Sequence, residues 1–260
     1  MHAHASLTEV FVAALITAIF TGFGAIPFFF VKQMSRRWLG LANAIAAGLM
    51  LAASFSLIYQ GFAESWLRTS LGVLAGLVFI ALSRGLLSHA GDHEHPHAHG
   101  PAALALGTVS RAEATKMILI VGVMTLHSFA EGVGVGVAFG GGEAFGALIT
   151  ASIAFHNIPE GLAISLVLVP RGVSAWRAVL WSVFSSLPQP LMAVPAFLFV
   201  ETFRPILPAG LGFAAGAMIW MCVAELLPEA YEDSGSSNAV AITVTLAVVL
   251  LMVFQGLMGM

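Results

Sequence analysis

The chain has 260 residues, of which 59% are hydrophobic and 9% charged, and its mean hydropathy is +0.96. Soluble domains carry roughly a quarter charged residues, so this composition excludes a sizeable water-facing domain and implies an integral membrane protein. Ten Lys and Arg against 13 Asp and Glu leave a formal charge of −3, with no basic patch for nucleic acid. The single cysteine, Cys222, excludes an intramolecular disulfide and a cysteine-rich metal site.

A spanning helix takes about 20 apolar residues. Eight segments of that kind follow in chain order, at about 8–31, 39–63, 70–87, 115–139, 144–169, 177–200, 206–228 and 238–259. The expected fold is therefore an all-α bundle of eight transmembrane helices forming a single domain over 1–260. The first residues show neither a basic signal-peptide start nor a transit-peptide pattern, which favours a bacterial plasma (inner) membrane over a chloroplast.

Basic residues set the orientation. Lys32, Arg36, Arg37, Arg84, Arg111, Lys116, Arg171 and Arg177 fall on the odd-numbered loops, and only Arg68 and Arg204 fall on the other side. The odd-numbered loops are expected in the cytoplasm, with both termini outside. The longest loop, about 88–114, holds His89, His93, His95, His97 and His99 beside Asp92 and Glu94. Alternating histidines with Gly and Pro read as a flexible cytoplasmic segment that either captures metal or is a solvated linker. It lacks the fixed geometry of a transport site.

Ionisable groups inside a span are expensive and mark function. The fourth span reads TLHSFAEGVGVGVAF and the fifth AFHNIPEGLAISLVL. His127 and Glu131 are four residues apart, as are His156 and Glu160, and the H-x-x-x-E-G pattern recurs after 29 residues. Residues i and i+4 share a helix face, so each helix offers an imidazole and a carboxylate on one side. The bland alternative pairs each His with its own Glu. Two such pairs on neighbouring helices favour one site for a divalent cation, which relieves repulsion between the carboxylates. Mixed His and Glu ligands suit zinc, iron or manganese better than calcium.

Further polar groups sit near this motif. Pro159 removes a backbone hydrogen bond just before Glu160. Gln189, between Pro188 and Pro190 in the sixth span, is either a structural hydrogen-bonding group or a weak ligand. In the seventh span, Glu225 lies about one turn deeper than Glu229 and is a candidate for the ion path. Met50 in the second span is a candidate thioether ligand or plain packing. Gly132, Gly136 and Gly140, Gly72 and Gly76, and Gly212 and Gly216 have the small-xxx-small spacing of close helix packing.

HSFAEG and HNIPEG resemble the paired metal-binding motifs of the ZIP (Zrt/Irt-like) metal transporters. The histidine-rich loop, AAGLMLAAS in the second span and AELLPEA in the seventh fit as well, and the resemblance covers essentially the whole chain. It is similar to the bacterial GufA-type branch, and LWSVFSSLPQPLMAVPAF resembles the plant-plastid branch. The resemblance implies uptake of divalent metal (zinc first, then manganese, iron or cadmium) into the cytoplasm, with the metal as substrate and no catalytic cofactor. It also implies an inverted repeat of helices 1–3 and 6–8 around helices 4–5, an elevator-type movement and a homodimer in the bilayer. The family's primary site carries over onto His127, Glu131, His156, Asn157 and Glu160, with its second-span methionine at Met50. A second site in some members uses an Asn where this chain has Ser128 and a Glu where it has Gln189, so one strong site and a weak or absent second one are expected. Ala130 stands where many members have Pro. Two other classes compete with transport. An intramembrane zinc hydrolase lacks an H-E-x-x-H, and a haem subunit would bury carboxylates against the macrocycle. A metal sensor has no effector domain here.

Overall fold

The computed structural model describes residues 5–31, 34–89, 127–169 and 173–257. The histidine-rich stretch from 90 onward and the start of the fourth predicted span lie outside these residues, as do Lys32, Arg111, Lys116 and Arg171. Among the described residues, five helices are long and apolar enough to cross a membrane, and Leu7–Phe23 is a shorter apolar one.

Helix α1 (Leu7–Phe23) opens with a capping box. Ser6 Oγ accepts from Glu9 N (3.2 Å), and Ser6 N donates to Glu9 Oε2 (2.5 Å). It ends earlier than the expected 31, because the chain tightens into a 3-10 turn at Ile26–Phe29 beside Pro27. Helix α2 (Arg36–His89) contains both the second and third predicted spans, divided by one non-helical residue, Ser65 (φ −162, ψ 101). A Cβ on Gly61 would meet Thr69 Oγ1 at 2.6 Å. Eight residues of straight helix would separate these positions by about 12 Å, so the chain folds back at Ser65. The loop expected between the two spans is this single residue.

Helix α3 (127–140) leads through Gly142 (φ 136) into α4 (Glu143–Leu168), which contains Pro159. The glycine turn expected between the fourth and fifth spans is thus present, and only Gly tolerates that dihedral. The sixth predicted span is two helices, α5 (Ala175–Ser185) and α6 (Pro188–Thr202). Pro188 starts α6 because it has no N–H to continue α5 and its ring suits a helix start.

The seventh predicted span is α7 (Leu207–Met221), a π turn (Cys222–Leu226) and α8 (Leu227–Ser234). Leu227 N–H bonds to Cys222 O, a step of five. Pro228 has no N–H for the carbonyl of Ala224, so the ordinary step of four fails there. Helix α9 (Ser237–Leu257) closes the chain and presents Ile242, Leu246, Leu250 and Met252 outward.

Packing sorts the helices into two groups. Helix α1 lies on α4, α5 and α6, while α2 lies on α7, α8 and α9, and also touches α4. The apolar core that joins them includes Met50, Leu57, Ile149, Ile153, Leu211 and Met218. The expected glycine packing is present. Gly72 and Gly76 face the backbone of α7, and Gly212 and Gly216 face α2. Helix α3 is held between α6, through Gly132 and Gly136, and α7, where Ala214 meets Gly134.

Candidate metal centre

The H-x-x-x-E-G motifs do two jobs, and the structure separates them. The glycine after each glutamate admits a neighbouring backbone. A Cβ at Gly132 would stand 2.8 Å from Gln189 Cα in α6, and a Cβ at Gly161 would overlap the Thr21 carbonyl in α1. These contacts pull α6 and α1 against the helices that carry the polar residues. The histidine and glutamate then turn toward each other across the α3–α4 contact.

Glu131 is fully buried. Its Oε1 lies 2.7 Å from His156 Nε2 and 3.2 Å from His127 Nε2. One ligand atom each from His127, Glu131 and His156 lie within 4.8 Å of one another. The strongest pair is therefore between helices, His156 with Glu131, and not each histidine with its own glutamate. Three convergent donors, two nitrogens and an oxygen, match the ligand types of zinc and its neighbours.

Helix α4 supplies a second set of atoms. His156 Nδ1, Asn157 Oδ1 and both oxygens of Glu160 are buried with no hydrogen-bond partner among the described residues. Buried acceptors without donors are rare because desolvation costs about 1–3 kcal/mol each, and more for charged groups. Asn157 Oδ1 and the two Glu160 oxygens are acceptors that a cation satisfies, while His156 can give an ion only one of its two ring nitrogens. The carboxylates that act electrostatically on Glu160 are Glu131 and Glu225.

The remaining candidates are placed as follows. Glu225 sits in the π turn with Oε2 3.8 Å from His127 Nδ1, its side chain 15% exposed. The extra residue of that turn re-aims the helix face at this point. Glu229 is exposed and accepts from Asn43 Nδ2 (3.1 Å). Met50 is fully buried in the joint core.

Gln189 is fully buried, and both its polar atoms are engaged. Nε2 donates to Glu131 Oε2 (2.5 Å), and Oε1 lies near Asn157 Nδ2 (3.1 Å) and Thr17 Oγ1 (2.5 Å). Asn157 Nδ2 also donates to the Thr17 carbonyl (2.9 Å). Ser128 Oγ donates to the Ser185 carbonyl (3.2 Å). Sequence reasoning missed Thr17. The available signal was Thr17 and Thr21, four residues apart in an otherwise apolar span. Thr21 meets Ser186 at 2.8 Å.

The ZIP zinc transporter family model matches residues 83–260. The chain belongs to the ZIP family. An Arabidopsis thaliana protein with a zinc-transporter name is 47% identical over 252 residues, covering 95% of this chain and 38% of that protein. Zinc transporter GufA of Myxococcus xanthus is 30% identical over 243 residues, covering 88% of this chain and 91% of the relative. Zinc transporter ZIPB of Bordetella bronchiseptica is 32% identical over 232 residues, covering 84% and 72%. This ZIP member thus spans well under half of the plant relative and most of the two bacterial ones. Membership and the apolar helices together make it a multi-pass membrane protein.

Proposed function

We propose that this ZIP protein moves divalent transition-metal ions across the membrane into the cytoplasm, zinc first, with manganese, iron and cadmium as further substrates. The ion is held by His127, Glu131 and His156, completed by Glu160 and by the free Oδ1 of Asn157. Met50, Gln189 and Glu225 border its path. The observation that carries this reading is the three convergent donors His127, Glu131 and His156, with the buried, unpartnered Glu160 carboxylate close enough for the charge of Glu131 to act on it. A cation there removes the desolvation penalty while bound. The names of the relatives agree with this reading.

Metal is substrate here, so the site must also release it. Each imidazole binds through a lone pair that a proton can occupy, and acid therefore competes with metal. The finer architecture belongs to the same proposal: eight crossings, an inverted repeat of helices 1–3 and 6–8 around 4–5, a homodimer, and both termini on the extracytoplasmic side of an inner membrane. The fold-back at Ser65 supports the separation of spans two and three, and the placement of basic residues supports the orientation.

The test is metal flux into proteoliposomes with zinc, manganese, iron and cadmium, comparing wild type with Glu131→Gln. Flux in wild type that the variant loses is the expected result. Tight metal binding without flux in wild type refutes transport and leaves a sensor or a catalytic centre.

A further inference from the structure

The hydrogen bonds around Gln189 form a directed chain whose sense is fixed at both ends. At one end is the Thr17 carbonyl of α1, which can only accept. Asn157 must therefore present its amide nitrogen to it (2.9 Å). The second hydrogen of that nitrogen points to Gln189, so Gln189 turns its oxygen toward Asn157 (3.1 Å). Its nitrogen is left facing Glu131 Oε2 (2.5 Å). A carboxylate can only accept, so the far end agrees with the near one. The Thr17 hydroxyl has one proton and two acceptors in reach, Ala14 O (2.7 Å) and Gln189 Oε1 (2.5 Å). The orientation of Gln189 does not depend on which of them it serves.

We propose that Gln189 is a positioning residue that sets metal selectivity by occupying one oxygen of Glu131. The amide holds Oε2 toward α6, and Oε1 is the oxygen turned toward both imidazoles and hence toward an ion they share. An ion that also took Oε2 would compete with the amide for it, so the clamp favours one-oxygen ligation by Glu131. Zinc accepts few ligands, commonly four, with single carboxylate oxygens. Manganese favours more oxygen-rich, higher-coordinate sites, and a two-oxygen carboxylate is one way to build them. The clamp therefore disfavours manganese relative to zinc. A charged Glu at position 189 would set two carboxylates against each other. The neutral amide holds Glu131 without adding charge. This inference deepens the transport reading and rests on it for its physiological meaning, but the clamp itself is a statement about binding.

The experiment measures the ratio of zinc to manganese, both as uptake into proteoliposomes and as equilibrium binding to purified full-length protein. It compares wild type with Gln189→Met and Gln189→Leu. Both side chains keep the bulk and lose the donor, and the Gly132 contact is to the Gln189 backbone, which neither variant changes. The expected result is a zinc preference of at least tenfold in wild type that falls at least tenfold in both variants, in binding and in whatever uptake each variant keeps. An unchanged ratio in the variants overturns the proposal. So does wild type that binds manganese as tightly as zinc, a measurement that needs no variant. Wild type that binds zinc but moves none sinks the transport reading alone, and the binding ratio still decides the clamp.

Discussion

Gly161→Ala tests whether the motif glycine builds the site. A methyl group at Gly161 overlaps the Thr21 carbonyl oxygen and stands 2.7 Å from its carbon. Ordinary heavy-atom contacts are about 3.5–4.0 Å, and the overlapped oxygen is the nearer atom, so α1 must retreat from α4 by about 1.5 Å or more. The obstacle is backbone and cannot rotate away, which places the overpacking penalty near the upper end of about 1–3 kcal/mol. Alanine recovers about 1 kcal/mol of helix propensity. The net loss is about 2 kcal/mol, or a melting temperature lower by about 4–8 °C at 2–4 °C per kcal/mol. The same retreat stretches the Asn157–Thr17 hydrogen bond from 2.9 Å and slackens the chain through Gln189 to Glu131. Thermal melts in one detergent and zinc uptake in proteoliposomes read the two effects. Gly256→Ala is the control, because a Cβ there meets nothing within 4 Å, and it leaves both measurements unchanged or slightly improved. Wild-type melting and wild-type uptake in Gly161→Ala would refute the argument.

Three more outcomes are expected. Glu160→Gln abolishes most uptake yet leaves metal-free melting unchanged or raised, since its carboxylate oxygens are buried without donors and a neutral amide is cheaper to bury; a lower metal-free melting temperature counts against this. Zinc uptake falls as the medium is acidified, because protons compete with metal for the imidazole lone pairs, and flat uptake between pH 5 and 8 argues against histidine ligation. Deleting residues 89–99 changes regulation or apparent affinity and leaves uptake present, so complete loss of uptake would place the histidine-rich loop in the transport site.

What the sequence alone determined is what depends on local pattern and composition. A chain with 9% charged residues has no surface to give to water, and helix is how an apolar backbone satisfies itself. The i, i+4 spacing put His127 with Glu131 and His156 with Glu160 on shared helix faces before any packing was known. The glycine repeats announced close helix contacts for the same local reason. Tertiary structure decided which groups meet. Local spacing pairs each histidine with its own glutamate, yet Glu131 takes both imidazoles and Glu160 takes neither as a hydrogen-bond partner. The outcome depends on how α3 and α4 are rotated against each other, and that is set by backbone contacts at Gly132 and Gly161 with α6 and α1. Thr17 is 172 residues from Gln189, and nothing within one span links them. The π turn that brings Glu225 toward His127 depends on the missing N–H of Pro228, but its direction depends on the helices packed around it. Periodicity shows which side of a helix is polar, and only the packed neighbours determine what that side faces.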